Sequence, residues 1–344
     1  DWETAFVKSQ AQSNDVTSNR LSNNLLKEAL FDSTPAAYNP FSAGVNSNIE
    51  RALVDVYRKG VSDLMMIDFK ISSNDLWEMP GGNMGMLFGL EYRDEEISDD
   101  RDPRLDGTIT YTDYEGDTYP LVGDVVNSSP TGDVSGSRNV VSVFTELQIP
   151  LTDTLDIQTA VRHESFSDYG DSTVAKLALG WEIAPWVDLR ASASTAFRAP
   201  NIIQMNEKTV VRSGTRYDRA AFQVNAVQSV ENVIDSDSRY TIQRMATGAE
   251  NLEAEESDNY SVGFVITPAD IDGLTITADY WSIDKENTIG LFGRENHTVQ
   301  DMLLRIANGT NNCDTFGGHG VIDRDAPDED QTAAAAAVGV CPFG

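Results

Sequence analysis

Val187-Asp-Leu-Arg-Ala-Ser-Ala-Ser-Thr-Ala-Phe-Arg198 is the stretch that decides the fold class of this chain. From Val187 to Phe197, the odd positions are mostly apolar or small. The polar side chains occupy even positions: Asp188, Arg190, Ser192, Ser194 and Arg198. Strict alternation with a period of two predicts a β-strand with one apolar face and one polar face.

The same alternation recurs along most of the chain and predicts about nine strands. It begins at once, with Trp2, Thr4 and Phe6, so we expect a strand at the first residue and further sequence upstream. With their flanking residues the predicted strands span about 11 to 14 residues, whereas strands of soluble proteins usually span about five or six. The clearest alternation in the other strands lies within residues 61–71, 84–92, 141–149, 155–161, 175–183, 260–266 and 274–280.

The predicted connections differ between the two ends of the strands. Short turns are expected at residues 76–82, 150–154, 184–186 and 268–273, and long loops at about 11–60, 98–138, 199–255 and 288–344, with 167–171 a shorter connection at the loop end. Short turns at one end and long loops at the other are typical of outer-membrane barrels. A soluble sandwich has no reason to keep this asymmetry over so many strands.

Local helices are predicted inside some of these long loops. Leu21, Leu25, Leu26, Ala29 and Leu30 lie at helical spacing, and so do Val299, Met302, Leu303 and Ile306. The alanine run 333–337 favours another short helix. We interpret all three as parts of loops, so the whole of 1–344 is expected to belong to one partial barrel domain.

The charge of the chain is strongly acidic. It holds 55 Asp and Glu residues against 25 Lys and Arg, a formal net charge of -30. Nucleic-acid binding is therefore not expected, because phosphate contacts need clustered cations. No apolar run reaches about 18 residues, so no transmembrane helix is predicted, but transmembrane strands are too short to give that signal.

The last predicted loop contains the two cysteines of the chain. Cys313 and Cys341 bracket a polar stretch, which predicts a disulfide in an oxidising compartment. The alternatives are two free thiols or, with His319, a metal site. The acidic stretches 99–106 and 323–330 offer clustered oxygen ligands for Ca²⁺, although neither has the pattern of an EF-hand and both also fit solvated acidic loops.

The sequence shows no pattern typical of a catalytic site. The histidines His163, His297 and His319 are scattered and lack metalloprotease spacing. A G-x-S-x-G elbow and a phosphate-binding loop are also missing. We therefore expect no enzymatic activity and no cofactor beyond the Ca²⁺ that the acidic loops could bind.

Several segments resemble the β-barrel domain of TonB-dependent outer-membrane receptors, and they occur in the family's order over about residues 40–290. The strand quoted above runs into Phe-Arg-Ala-Pro, and the entry to a later strand resembles Asn-x-x-Leu-x-Pro-Glu-x-Ser followed by Tyr-x-x-Gly, with Ala254 in place of the proline and Asn251 directly before Leu252. Residues 89–93 resemble the family's Gly-x-Glu-Tyr-Arg and residues 279–283 its Asp-Tyr-Trp-x-Ile. The matching positions are Phe197, Arg198, Ala199, Pro200, Asn251, Leu252, Glu255, Ser257, Tyr260, Gly263, Gly89, Glu91, Tyr92 and Arg93.

This resemblance implies an all-β, transmembrane antiparallel β-barrel, of which the chain holds about nine of 22 strands. It also implies active uptake across the outer membrane of a Gram-negative bacterium. A plug domain, which this chain does not hold, would couple the barrel to the TonB–ExbB–ExbD system. The ligand would be a siderophore, a cobalamin or a carbohydrate, and acidic loops favour a carbohydrate or another organic ligand because they repel anionic ferric siderophores.

Two alternative functions share the predicted architecture. A passive porin or an adhesin would show the same alternation and loop asymmetry, although it would lack the plug and this order of motifs. An enzymatic barrel is a third class. If ligand binding uses cations, Arg190 and Arg198 on the polar face and Arg212 and Arg216 in the long loop are the candidates, although such charges also pair with one another.

Overall fold

A computed structural model describes residues 1–45, 47–217, 239–271 and 273–291, together with positions 293, 296, 297, 299, 300 and 303. The strands are β1 (Trp2–Leu21), β2 (Leu53–Met79), β3 (Gly82–Arg101), β4 (Thr110–Thr112), β5 (Thr118–Gly123), β6 (Val134–Thr152), β7 (Leu155–Phe166), β8 (Gly170–Ala184), β9 (Val187–Arg198), β10 (Val210–Tyr217), β11 (Arg239–Ala246), β12 (Glu255–Ile266) and β13 (Ile276–Glu286). The helices are α1 (Asn23–Leu30), α2 (Pro103–Asp106) and α3 (Ile202–Asn206), with a 3₁₀ turn at Ile49–Ala52.

Nine of these strands form one antiparallel sheet, as the alternation predicts. Their order is β1-β2-β3-β6-β7-β8-β9-β12-β13, so each strand pairs with its sequence neighbours in the sheet. The remaining strands form two separate hairpins inside connections, β4–β5 and β10–β11. Among the described strands β1 pairs only with β2 and β13 only with β12, so the sheet is open at both edges. The predicted all-β fold of a partial barrel is confirmed.

The pairing register gives the sheet two chemically different faces. Asp68, Glu91, Ser142, Glu164 and Ser172 are directly opposite one another across five strands, so they share one polar face. The side chains one position away in each strand point to the other face, which is apolar. The sequence therefore builds a two-faced sheet in consistent register from β1 to β13.

The apolar face is exposed along its whole width. Phe69, Leu90 and Val143 lie opposite one another in β2, β3 and β6 and are 40%, 46% and 37% exposed. Other exposed members of this face are Trp2, Phe6, Met65, Ile67, Ile71, Val141, Val161, Leu177, Trp181, Val262, Phe264, Ile276 and Tyr280. A continuous apolar surface of this width needs an apolar environment.

The strands at one side of the sheet are much longer than the alternation predicts. β2 has 27 residues and β1 has 20, whereas β12 has 12. The predicted loop at 11–60 therefore shrinks to 22–52, and the loop at 98–138 shrinks to 102–133. The reason is visible at Asn14↔Lys59 and Asp15↔Arg58, where both faces are polar and alternation fades although backbone pairing continues.

The connections keep the predicted asymmetry between the two ends of the sheet. At one end β2–β3, β6–β7 and β8–β9 are joined by two residues each, and β12–β13 by residues 267–275. Strand β2 continues through a bulge to Met79, so the first turn is shorter than the predicted 76–82. At the other end lie 22–52 and 102–133, the segments 199–209 and 247–254 of the connection after β9, and the three-residue connection 167–169.

The first predicted loop helix is present as α1. Ser22 caps it by accepting a hydrogen bond from the backbone N–H of Leu25, while Leu21 belongs to β1. In the second predicted helix Val299 and Leu303 are helical, and the remainder of that helix and the run 333–337 lie largely outside the described residues. Within the described parts of the chain, no helix is long and apolar enough to cross a membrane.

The chain divides into two compact units. Residues 1–209 and 247–289 form the first, which contains the large sheet and the helices α1 to α3. Residues 210–246 and 290–344 form the second. In the second unit β10 and β11 pair antiparallel, from Val210 opposite Ala246 to Tyr217 opposite Arg239.

Candidate functional site

The polar face carries a charged network over β3, β6 and β7. The Arg162 guanidinium lies 3.2 Å from a Glu91 carboxylate oxygen and 2.6 Å from a Glu164 carboxylate oxygen. The Ser142 hydroxyl donates to Glu164 over 2.8 Å. Arg93 extends the network by pairing with Glu91 and with Glu95. Acids in one row across a sheet repel one another, so the two arginines are what stabilise this row.

A glycine beneath this network makes room for an aromatic ring. Gly89 lies directly opposite Phe144, and a Cβ at Gly89 would overlap the Phe144 ring. The Arg162 guanidinium covers the same ring at 5.0 Å from its centroid, within cation–π range. Tyr92 points to the apolar face and donates to Asn139 over 3.1 Å. The side chains of the Gly-x-Glu-Tyr-Arg segment therefore pack on both faces of the sheet.

The structure pairs both arginines that the sequence singled out on the polar face. Arg190 makes two hydrogen bonds with the Asp279 carboxylate, of 2.9 and 2.6 Å. Arg198 makes two with Glu255, both 2.7 Å, and Glu255 also accepts from the backbone N–H of Ile289. Their donors are therefore largely used by the chain itself.

The other predicted ligand arginines lie in the second unit. Arg212 is exposed in β10, and the side chain of Arg216 lies outside the described residues. Of the later family-motif positions, Asn251 and Leu252 lie just before β12, Ser257 lies on its polar face, and Tyr260 is exposed on its apolar face. The predicted ligand role of these residues stays a prediction.

Gly263 has a specific reason to be glycine. It lies opposite Arg190 in β9 and opposite Asp279 in β13, so the ion pair between them crosses over it. A Cβ there would overlap the Asp279 carboxylate. We expect Gly263→Ala to displace the carboxylate and destabilise the protein by about 1 kcal/mol, the upper range for an exposed ion pair. Gly180→Ala, where a Cβ meets open space, is the matched control.

Urea unfolding of both glycine variants in lipid vesicles measures this difference. Both substitutions remove the same backbone freedom from a strand glycine, so their comparison isolates the ion pair. Equal stability changes in the two variants would show that the Arg190–Asp279 pair does not depend on the space above Gly263.

Arg138 is a buried cation that contacts several elements, and the sequence pattern did not predict it. It is 5% exposed and makes three hydrogen bonds of 2.6 to 2.9 Å with the Asp168 carboxylate. The same guanidinium donates to the carbonyl oxygen of Pro200 over 2.7 Å and lies 5.4 and 5.7 Å from the ring centroids of Phe166 and Tyr169. One cation thus fixes β6, the β7–β8 connection and the segment after β9.

The segment after β9 folds back over the polar face. Asn201 and Gln204 form a capping box at the start of α3, and Ile202 and Asn206 pack against Gly136 of β6. Phe197 meets Phe166 edge-on, with ring centroids 5.9 Å apart. The Phe-Arg-Ala-Pro stretch and α3, which we call the clamp, therefore cover part of the polar face at the loop end of the sheet.

The first two long connections, 22–52 and 102–133, are joined through a buried carboxylate. Asp124 is fully buried, accepts one bifurcated hydrogen bond from the Ser22 hydroxyl and pairs with Arg104. Nearby, Asn24 bonds to the backbone of Thr110 and Thr112, so α1 is fixed against β4. Both connections are consequently held in one packed arrangement.

An aromatic and acidic surface lies where these two connections meet. Phe31 and Tyr114 stack with centroids 5.1 Å apart and planes 19° apart, and Tyr111 stacks on Tyr119 at 5.6 Å. The Tyr114 hydroxyl donates to Glu115 and the Tyr119 hydroxyl to Asp113. These bonds to carboxylates raise the pKa of both tyrosines, so their hydroxyls stay protonated donors.

The carboxylates of this surface lie close together. One oxygen each from Asp113, Glu115 and Asp117 lies within 4.8 Å of the others. Desolvation acts to raise the pKa of Asp113, but hydrogen bonds from Tyr119 and three backbone N–H groups outweigh it and lower that pKa. Elsewhere in the first connection, the hydrogen bond from Arg51 lowers the pKa of Asp32 to about 2.

In the acidic stretch 99–106, predicted as a calcium candidate, three carboxylates have partners within the chain, and calcium binding there stays a prediction. Asp99 pairs with Arg58 and Arg101, Asp102 caps α2, and Asp106 accepts from the backbone N–H of Thr108. Among the described residues, the group with metal-ligand spacing is instead Asp113, Glu115 and Asp117. The second acidic stretch 323–330, Cys313 and Cys341 lie outside the described residues.

The fold is a long-stranded antiparallel sheet with an exposed apolar face and an ion-paired polar face. Its long connections lie at one end of the strands, which is typical of outer-membrane barrel proteins. The family model for the TonB dependent receptor-like β-barrel matches residues 2–308. The chain therefore belongs to the TonB-dependent receptor family, as its motifs indicate. No curated protein sequence matches it.

Comparison with solved structures returns partial matches to receptors and to an importer. A mutant of the ferric enterobactin receptor PfeA from Pseudomonas aeruginosa, solved with enterobactin, is 17% identical with a TM-score of 0.48. The siderophore receptor PirA from Acinetobacter baumannii is 14% identical with a TM-score of 0.48. Each match covers 82% of this chain and 32% of the receptor. A match to the RagAB peptide importer has 12% identity, a TM-score of 0.42 and coverages of 83% and 28%. The chain thus spans about a third of the length of these proteins.

Proposed function

We propose that this chain forms part of the wall of an outer-membrane receptor that imports a small molecule with energy supplied through TonB. The exposed apolar face of the sheet carries the proposal. Leu90, Val143 and their neighbours would expose a continuous apolar surface to water, whereas in a bilayer the same surface contacts lipid. Family membership supports the same placement.

The polar face would then line the lumen of the barrel. Its charges are arranged in pairs, such as Arg162 with Glu91 and Glu164 and Arg190 with Asp279, which keeps them satisfied beside a membrane. The open edges at β1 and β13 would pair with further strands of the same barrel, because unpaired strand edges are not tolerated in the hydrocarbon region.

The transport chemistry is binding and gated passage, without a bond made or broken. The long connections 22–52, 102–133 and 199–254 would face the cell exterior and capture the ligand. A plug inside the barrel would then be moved by the TonB–ExbB–ExbD system. A siderophore, a cobalamin and a carbohydrate are all candidate ligands, and the acidic second connection disfavours the strongly anionic ones.

Energised uptake separates this function from the alternative of a passive porin. The full-length protein is produced in a Gram-negative host that lacks its own receptors, and uptake of labelled siderophore, cobalamin and oligosaccharide probes is compared with and without TonB. We expect uptake of one probe that disappears when TonB is absent. Uptake that continues at the same rate without TonB would favour the porin.

A further inference from the structure

The surface where the first two long connections meet combines exposed aromatic rings with carboxylates that form no ion pair among the described residues. We call Phe31, Tyr114, Asp113, Glu115 and Asp117 the loop platform. Phe31 and Tyr114 are 64% and 66% exposed although they stack on each other, so each ring can offer its outer face. Among the described residues, no cation pairs with any of the three carboxylates.

The loop platform is held rigidly from below. Phe31 ends α1, and Lys27 one turn earlier donates to the carbonyl oxygen of Thr112 over 2.7 Å. The buried Asp124, with Ser22 and Arg104, fixes the two connections to each other. A surface that is already ordered loses little conformational entropy when it binds a ligand.

The charge around the loop platform is one-sided. Residues 102–133 hold seven carboxylates and one arginine, Arg104, which is engaged by Asp124. In residues 22–52 the cations are Lys27, which binds backbone carbonyls, and Arg51, which binds Asp32. Both arginines therefore pair with carboxylates, whereas Lys27 keeps its charge beside the carbonyl oxygens of Thr112 and Asp113. Acidic residues still outnumber the cations of the two connections, so their net negative charge attracts positive charge.

From this combination we infer that the loop platform binds an organic cation, such as a ligand bearing a quaternary ammonium group. The faces of aromatic rings attract cations, and carboxylates nearby add Coulomb attraction. Because the Tyr114 hydroxyl donates to the Glu115 carboxylate, the ring is more electron-rich and its attraction for a cation increases. A ligand that carries both a positive charge and an apolar surface would interact with the carboxylates and with the aromatic rings of the loop platform.

Other occupants match only one half of the loop platform. A divalent metal ion would use the carboxylates and leave the stacked rings without a role. A neutral sugar would use the rings and gain nothing from the net negative charge, and an anion would be repelled. The inference rests on the proposed function in placing these connections outside the cell, but binding itself is measured without transport.

Choline and its uncharged isostere 3,3-dimethylbutan-1-ol provide the test, because they differ chiefly in the charge. Each is titrated calorimetrically, at low salt, into the full-length protein in detergent. We expect choline to bind and the isostere to bind about two- to fivefold more weakly, the range for a cation–π contact at exposed rings. Equal binding of the two probes, or no choline binding, would overturn the inference.

Variants of the loop platform locate the choline site. Phe31→Leu and Tyr114→Leu keep apolar bulk but remove the ring, and each is expected to weaken choline binding about two- to fivefold. Phe41→Leu is the matched control, since Phe41 is 92% exposed in the same connection and lies outside the platform. An equal loss with Phe41→Leu would overturn the assignment to this surface.

Measurements of Ca²⁺ binding and of uptake distinguish failure of the loop-platform inference from failure of the proposed function. If the acids hold only a metal ion, Ca²⁺ binds with the same affinity in wild type and Phe31→Leu while choline does not bind, and the inference fails. TonB-dependent uptake that persists without choline binding also contradicts only this inference. Choline binding in a protein whose uptake ignores TonB contradicts only the proposed function.

Discussion

Leu177→Arg is expected to destabilise the folded protein in a lipid bilayer by about 2–4 kcal/mol, because the proposed function puts the apolar face of β8 against hydrocarbon. Leu177 is 55% exposed, so in water the same substitution on a soluble sheet would cost little. The large effect thus depends on the membrane and not on contacts within the protein.

Ala178→Arg is the matched control for this prediction. Ala178 follows Leu177 in β8, lies opposite Gln158 and Ser192, and belongs to the polar face. An arginine there meets water and polar side chains, so the expected cost stays below about 1 kcal/mol. Reversible urea unfolding in phospholipid vesicles compares the two variants with wild type. If both arginines cost the same, the assignment of the two faces is wrong.

Arg138→Met is expected to cost about 3–5 kcal/mol, the range for breaking a buried ion pair by removing one partner. The substitution leaves the Asp168 carboxylate without its three hydrogen bonds and the Pro200 carbonyl without its donor. Because Arg138 also holds the clamp after β9, we expect the backbone amides of α3 to exchange hydrogen faster than in wild type.

Arg190→Met is the control for the Arg138 prediction. Its pair with Asp279 has the same bidentate geometry, but the two side chains are 55% and 42% exposed. Screening by solvent limits such a pair to about 1 kcal/mol. Urea unfolding and hydrogen exchange measure both variants. A cost for Arg138→Met no larger than for Arg190→Met would show that the clamp is held by its apolar contacts instead.

The sequence was sufficient to predict the sheet because the two faces have different chemistry. Wherever one face is apolar and the other polar, as from Val187 to Phe197, period-two alternation marks the strand and its orientation. Where both faces are polar, as at Asn14 and Asp15, the alternation vanishes. The predicted loops were therefore too long at 11–60, although the backbone ladder continues to Leu21.

Candidate site residues could be predicted from the sequence only where a local pattern marked them, and their distant partners could not. Arg190 and Arg198 were found through their phase in β9, but their partners Asp279 and Glu255 are 89 and 57 residues away in sequence. Arg138 gave no signal, since nothing near it marks a buried cation. Its burial comes from Pro200, whose segment returns to β6 only in the folded chain.

The loop platform was unpredictable for a similar reason. Phe31 and Tyr114 meet through two connections that are separated by two long strands, and each ring alone resembles an ordinary loop aromatic. The acidic stretch 99–106 is a calcium candidate because its carboxylates are close in sequence. In the folded chain Asp99 pairs with arginines and Asp102 caps α2, while Asp113, Glu115 and Asp117 form a second close group of carboxylates.

The most direct test of the central claim is the solvent accessibility of β8, position by position, in a membrane. Single cysteines at residues 174–181 are spin-labelled in the full-length protein in vesicles, with the unsubstituted protein as blank, and collisions with oxygen and with a polar nickel complex are compared. The structure predicts that odd positions, including Leu177 and Trp181, are reached by oxygen and even positions by nickel. Equal access of nickel to both sets would contradict a lipid-facing wall.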